Sequence, residues 1–418
     1  MKFPIYLDCH ATTPVDPEVL EAMMPYLTDL FGNSASTTHV FGWMAEEAVQ
    51  RARAQVAQLI HASPEEIIFT SGATESDNFA IKGVAYAYRD KGNHIITAQA
   101  EHKAVLNSCK ALEKHGFEVT YLPVDRYGMV DPEAVREAIT NRTILISIMY
   151  ANNEVGTINP IWKIGEIARE QGILFHSDAV QGIGKIESDV SKLNVDLMSI
   201  SAHKMYGPKG IGALYIRKIG RTPIQLVPLI EGGGHEWGLR SGTPNVPGIV
   251  GFGQACEICQ RVWKDEGERL KALRDRLYQG IVSQLEEVTL NGHPESRLPG
   301  NLNLSFAWVD GTALLGLRNI AVSAGSACTS GKMESSYVLL AMGVDEPLTM
   351  RAIRFGLGRF HTEEEIDYVA KAVVEHVNRL REMSSQYVET KRRRSELKVA
   401  TAVKVWEEEG GEKPLKKE

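Results

Sequence analysis

The chain has 418 residues, with 46 Lys and Arg against 53 Asp and Glu and a net charge of −7. With a pI near 6.0, that balance argues against a general nucleic-acid binder, and 43% hydrophobic with 24% charged residues is the make-up of a soluble globular protein. Five cysteines in such a length form no disulfide framework, and the odd count leaves at least one thiol over, as expected of a reduced, cytoplasmic setting.

Residues 1–8 lack the charged and apolar blocks of a signal peptide. No apolar run approaches the roughly 18 residues that span a bilayer, so no membrane partner is expected. Residues 67–70 predict a strand, then a Gly turn and a helix over 75–88. Strand 94–97 precedes a helix over 103–115, and strand 143–149 precedes a helix over 161–171. Strands over 173–175 and 195–201 follow. These runs are apolar on both faces, as in strands covered by helices on both sides. The alternation predicts an α/β fold with a largely parallel sheet and a ligand at the carboxyl ends of its strands. From 256 to 284 the pattern is a long amphipathic helix, and 301–306 and 352–355 read as further strands. The expected division is a large ligand-binding domain over 15–255 and a smaller α+β domain from 1–14 and 256–381. The charge blocks after 382 predict a mobile tail over 382–418.

Two strand ends carry the sharpest chemical signal. Lys204 closes the run 195–203, and Asp178 closes the run 175–178. A lysine held after a buried strand forms an imine readily, and an aspartate pairs with a pyridinium nitrogen. Together they point to pyridoxal 5′-phosphate (PLP). The ordinary alternatives are a surface lysine and a helix N-cap. Thr70 to Asn78 joins a strand to a helix through Gly72, and the free amides with Thr74 suit a phosphate, although a plain N-cap reads the same way. Ser201 and His203 flank Lys204 as further phosphate donors. Gln181 is placed for the ring oxygen, and His102, after another strand, for stacking or proton transfer. Asn153 supplies amide donors at the same sheet edge. Arg354 in an alternating apolar run reads equally as a substrate-carboxylate clamp or a structural ion pair.

Cys328 lies in a loop of small residues, 323–331, the setting of an exposed thiol that travels as a nucleophile. Cys256 and Cys259 have CxxC spacing but fall in helical periodicity with no second ligand pair, so a core role is expected. Cys109 also reads as core, and Cys9 is ambiguous.

These residues resemble the cysteine desulfurases of the NifS/IscS type, within the fold-type I, class V PLP enzymes. The likeness runs from about 5 to about 380, through 7–17, 69–78, 101–103, 152–156, 201–212, 232–243 and 323–330. It implies a large, mainly parallel seven-stranded sheet domain with a smaller α+β domain, and a homodimer. It implies that Lys204 carries PLP and that the Ala73 amide, Thr74, Ser201 and His203 hold the phosphate, with Thr243 from the neighbouring subunit. Asp178 would pair with the ring nitrogen, Gln181 with the ring oxygen, and His102 would stack on the ring. Asn153 and Arg354 would engage cofactor and substrate carboxylate, and Asn33 would line the same region. The implied reaction takes sulfur from L-cysteine, leaves L-alanine and loads Cys328 as a persulfide. An iron–sulfur scaffold protein or another thiol, including a tRNA-thiolation acceptor, would receive it. Cys328 is also the candidate transient ligand of an iron–sulfur cluster shared with a scaffold. A class V aminotransferase, a selenocysteine lyase and a non-catalytic sulfur-trafficking platform are the rival readings. Cys9, Ser34 and Val180 depart from the residues usual in the group, and the tail does not follow its pattern.

Overall fold

The computed structural model describes residues 1–219, 222–324 and 335–393. Seven strands form the main sheet: β1 (Ile67–Thr70), β2 (His94–Ala98), β3 (Glu118–Leu122), β4 (Thr143–Ser147), β5 (Leu174–Asp178), β6 (Leu197–Ser201) and β7 (Gly212–Ile216). Their order is β1-β7-β6-β5-β4-β2-β3. β2 runs parallel to β3 and β4, and β4, β5 and β6 are parallel in turn. β7 alone is antiparallel to its neighbours β6 and β1. The α/β class and the mainly parallel seven-stranded sheet are thus as expected. Two strands of this sheet carry no signal in the sequence pattern. β3 is an edge strand with half-exposed residues, so no apolar run marks it. β7 is fully buried but begins on Gly212 straight after a Gly/Pro turn.

Helices cover both faces. α1 (Val40–Leu59) and the start of a 37-residue helix share one core with Phe69, Ile146, Phe175 and Met198. α2 (Ala73–Ala87) and α3 (Lys103–Glu113) pack on the other face through Phe79, Ile81, Val105 and Leu112. α4 (Ile161–Glu170) completes the first layer.

The 37-residue helix, α5 (Val246–Val282), begins well before position 256. Its first half, through Cys259, belongs to the main core, and its second half, from Leu270, to a separate one. A division at 255/256 therefore falls inside a continuous helix. The second core is built on a three-stranded antiparallel sheet, β8 (Val288–Asn291), β9 (Asn301–Phe306) and β10 (Ala352–Gly356), with α6 (Glu363–Glu382). Ile5 and Leu7 enter this core from the N-terminus, and Ile5–Tyr6 pairs in parallel with Ile320–Ala321. Within the expected tail, residues 385–393 are helical, with Glu389 pairing with Arg393 one turn on. Residues 394–418 lie outside the described residues, as does Cys328.

Candidate active site

The carboxyl ends of β1, β2, β5 and β6 open on one cavity of about 730 Å³, a size suited to a cofactor with its substrate. Ala73, Thr74, His102, Asn153, Asp178, Gln181, Ser201, His203, Lys204 and Arg354 all line it. Asn33 and Thr243 do not. Both are exposed, and Asn33 uses its side chain to accept the Ala35 amide at 2.9 Å.

The wall at the start of α2 is an anion cradle. Gly72 takes φ +150° to turn the chain out of β1, and the helix then begins at Ala73 with unpaired amides. Gly212 makes the turn possible. A Cβ there would sit 2.5 Å from the Ile200 carbonyl oxygen and 2.8 Å from Gly72 Cα. Glu75 secures the turn by accepting the Ser71 amide at 2.7 Å, and Arg240 binds the same carboxylate at 2.9 Å. Ser201 ends β6 opposite Gly212. His203 bonds Thr12 Oγ1 through Nδ1 at 3.0 Å. Burial and the nearby positive charges of Lys204, Lys209 and Lys185 push its pKa down to about 4.

Lys204 ends the short turn that follows β6. Its Nζ donates to the carbonyls of His10 and Ala11, each at 2.6 Å. Burial, then the charges of Lys185 and Arg354, lower its pKa to about 7. A large share of the amine is therefore neutral and nucleophilic at neutral pH. Asp178 ends β5 almost fully buried and accepts the Val180 amide at 3.1 Å. Burial raises its pKa, while the charges of His102 and Lys204 oppose the rise. His102 caps α3 by accepting the Ala104 amide at 3.2 Å through Nδ1, which leaves its exposed ring at the cavity mouth.

Gln181 donates to the His10 carbonyl at 3.0 Å. Its Oε1 meets His10 Nδ1 at 3.0 Å and Lys185 Nζ at 3.4 Å. Arg354, on β10, is 5% exposed. Of the two roles that its sequence context left open, the structure shows the ion pair. One nitrogen pairs with Asp8 at 2.7 Å and another donates to the Asn153 carbonyl at 2.9 Å, while its Nε is buried without a partner. Asn153 Oδ1 is likewise buried and unpartnered, whereas Asn152 spends its side chain on the turn, bonding Ala100 O and the amides of Glu154 and Val155. Asp8, His10, Lys185, Glu75 and Arg240 thus shape the site although sequence reasoning gave them no role. Asp8, His10 and Arg240 meet partners remote in the chain, which no local pattern marks.

The donor set fits PLP: a depressed-pKa lysine, a buried aspartate, free helix amides with neutral hydroxyl and imidazole donors, and an arginine with an unfilled buried nitrogen. A profile of the "Aminotransferase class-V" family matches residues 5–369. The chain belongs to the class-V aminotransferase family. Class-V relatives name a narrower group. "Cysteine desulfurase IscS" of Anaeromyxobacter dehalogenans is 59% identical over 388 residues, covering 93% of this chain and 96% of that one. "Cysteine desulfurase" of Homo sapiens is 53% identical over 382 residues, covering 91% and 83%. Among solved class-V structures, a "NifS-like protein" superposes with a TM-score of 0.84 at 42% identity, covering 90% of this chain and all of that one. "SspA in complex with cysteine" gives 0.76 at 39% identity, covering 86% and 100%. The resemblance to NifS/IscS-type cysteine desulfurases is borne out, and that group of class-V enzymes is PLP-dependent. No helix among the described residues is long and apolar enough to cross a membrane.

The other cysteines sort clearly. Cys9, Cys109, Cys256 and Cys259 are all buried and unpaired. Burial pushes Cys9 and Cys109 up to about 12 and Cys259 to about 11, and raises Cys256 well above the ordinary thiol range. Cys256 and Cys259 lie within α5, in the main core, which is the core role their helical spacing predicts.

Proposed function

We propose that this chain is a cysteine desulfurase that takes sulfur from L-cysteine, releases L-alanine and carries the sulfur as a persulfide on Cys328. The observation that carries the reading is one cavity uniting Lys204 with its pKa near 7, buried Asp178, the α2 amides and the half-paired Arg354. Bound PLP supplies an electron sink for negative charge at the substrate Cα. The chain's residues do the rest. Ala73 N–H, Thr74, Ser201 and His203 hold the phosphate, joined in a homodimer by Thr243 of the neighbouring subunit. Asp178 pairs with the ring nitrogen, Gln181 offers its amide to the ring oxygen, and His102 stacks on the ring. Arg354 and Asn153 orient the substrate carboxylate, with Asn33 close by. Lys204 holds the cofactor and then takes the proton from Cα.

Sulfur transfer falls to Cys328, because the four described thiols are buried and held protonated. Ser323 lines the cavity. Cys328 is four residues beyond Ala324, a covalent reach of at most about 14 Å. Its thiolate attacks the sulfur of bound cysteine, so an S–S bond forms and the Cβ–S bond breaks. Cβ gains a proton, giving alanine and a Cys328 persulfide with no outside oxidant. The sulfur then passes to an acceptor thiol, on an iron–sulfur scaffold or on a tRNA-thiolation route. On the scaffold route Cys328 also serves as a transient ligand of the nascent cluster. A cytoplasmic location belongs to this reading and rests on the unpaired thiols. The test is to incubate purified protein with L-cysteine and look by mass for a persulfide on the Cys328 peptide, with alanine in solution. Lys204→Ala should abolish turnover. Cys328→Ser should retain the cofactor absorbance and lose sulfur release, and brisk sulfide production by that variant would refute the persulfide step.

A further inference from the structure

One buried acid at the site has no part in the chemistry above. Asp77 lies on α2 three residues past Thr74 and is 0% exposed. Neither of its carboxyl oxygens has a hydrogen-bond partner of good geometry among the described residues. One oxygen lies 3.7 Å from His176 Nε2. Side-chain atoms of Asp77, Asp178 and His102 lie within 4.8 Å of one another. Asp77 does not line the cavity itself and sits behind Asp178, which does.

The surroundings decide its protonation. His176 is no counter-ion. Its two nitrogens are bonded by Ser147 Oγ at 2.9 Å and Ser199 Oγ at 3.0 Å, and burial pushes its pKa down to about 3. Burial raises the Asp77 pKa first, the charge of Asp178 from β5 next, and that of Glu101 from the turn before α3 adds to them, while the Ser199 hydroxyl on β6 works the other way. Asp178 is better provided: it accepts the Val180 amide, and His102 and Lys204 beside it favour its ionised form. Two carboxyls this close and shielded from water do not both ionise. The proton settles on the partner with fewer donors.

We propose that Asp77 holds a proton for the pair, so that Asp77 and Asp178 carry one negative charge between them and Asp178 alone faces the ring nitrogen. The inference rests on reading the cavity as a PLP site. It has a distinctive consequence. With Asp178 neutralised, the repulsion on Asp77 disappears and Asp77 becomes the acid that ionises. The experiment compares holoenzyme of wild type, Asp77→Asn, Asp178→Asn and the double variant. It follows chromophore absorbance against pH and cofactor retention on dilution. Asp77→Asn should leave the chromophore midpoint within about 0.3 pH unit and cofactor affinity within about twofold. The double variant should bind cofactor about tenfold more weakly than Asp178→Asn. A midpoint shift of about one unit in Asp77→Asn, or a double variant equal to Asp178→Asn, overturns the proposal. Infrared spectra of wild-type protein labelled at aspartate carboxyls give an answer that survives misfolding of any variant. A protonated aspartate must be present at neutral pH, and its absence also overturns the proposal. Wild-type protein that takes up no chromophore sinks the cofactor reading instead, and the infrared band still reports on Asp77.

Discussion

Lys185 should set the pH at which Lys204 reacts. Lys204 has its pKa lowered from 10.5 to about 7, by burial first and then by the Lys185 charge. At pH 7 about half of the amine is neutral, against roughly one part in 3,000 for an ordinary lysine. Lys185 itself is pushed down to about 8 by burial, so it is mostly charged at neutral pH. Lys185→Met removes that charge. A nearby charge of this kind is worth about one pKa unit at the low end, which places Lys204 near about 8 and leaves about a tenth of it neutral at pH 7. The rate at which cofactor-free enzyme captures PLP should then fall about fivefold at pH 7. Above about pH 9 the two proteins should converge, because Lys185 has by then lost its charge in the parent. Stopped-flow absorbance across pH 6–10 measures this directly. Lys185→Arg should restore the parent profile, which separates the charge from the contact with Gln181. A capture profile that keeps its midpoint in Lys185→Met refutes the electrostatic account of Lys204.

Three other substitutions test separate parts of the site. Gly212→Ala drives a Cβ against Ile200 O and Gly72 Cα and should cost about 1–3 kcal/mol in thermal unfolding, with a matching loss of PLP affinity because the α2 cradle shifts. Arg354→Lys loses the planar fork that spans Asp8 and the Asn153 carbonyl, so KM for L-cysteine should rise about thirtyfold, for roughly 2 kcal/mol. PLP absorbance should stay unchanged, and a loss of cofactor instead would assign Arg354 to the ring. His176 is buried with its pKa lowered from 6.5 to about 3. The folded state prefers the neutral ring, so this contribution is complete above about pH 6.5 and is lost as pH falls towards about 3. The loss is on the order of 4 kcal/mol, and His176→Gln should flatten urea-unfolding stability across that window.

The order of strands and helices was legible because buried parallel strands are apolar on both faces and end at short polar turns. β5 and β6 announce themselves this way, and so do Asp178 and Lys204 at their ends. β3 escapes because an edge strand is half wet and its residues carry no such run. The supports of the site escape for a different reason. Asp8 meets Arg354 from 346 positions away, and His10 meets Gln181 from 171 away. Neither pair leaves any spacing to read. Asp77 sat inside the motif 70–78 in full view, yet its significance comes from Asp178, which another strand delivers. The continuous α5 hides the change of core, because one amphipathic helix serves both.

The distribution of charge in the cavity explains how one site handles a phosphate and a reactive amine together. A lysine or arginine clamp on the phosphate would add a further cation beside Lys204. On the proposed reading the direct phosphate donors would be neutral: helix amides, the hydroxyls of Thr74 and Ser201, and His203, whose pKa is lowered to about 4, with Lys209 further along the same wall. Arg354 is partly neutralised by Asp8 and keeps one buried nitrogen for a carboxylate. Lys185 has no ion-pair partner among the described residues, and its own pKa of about 8 makes it a charge that fades just above the pH at which Lys204 must be neutral. Thiol chemistry is partitioned by the same logic. The four described cysteines sit where burial raises their pKa, so on the proposed reading the attack on the substrate sulfur falls to Cys328, on the chain that continues from Ser323 at the cavity's edge.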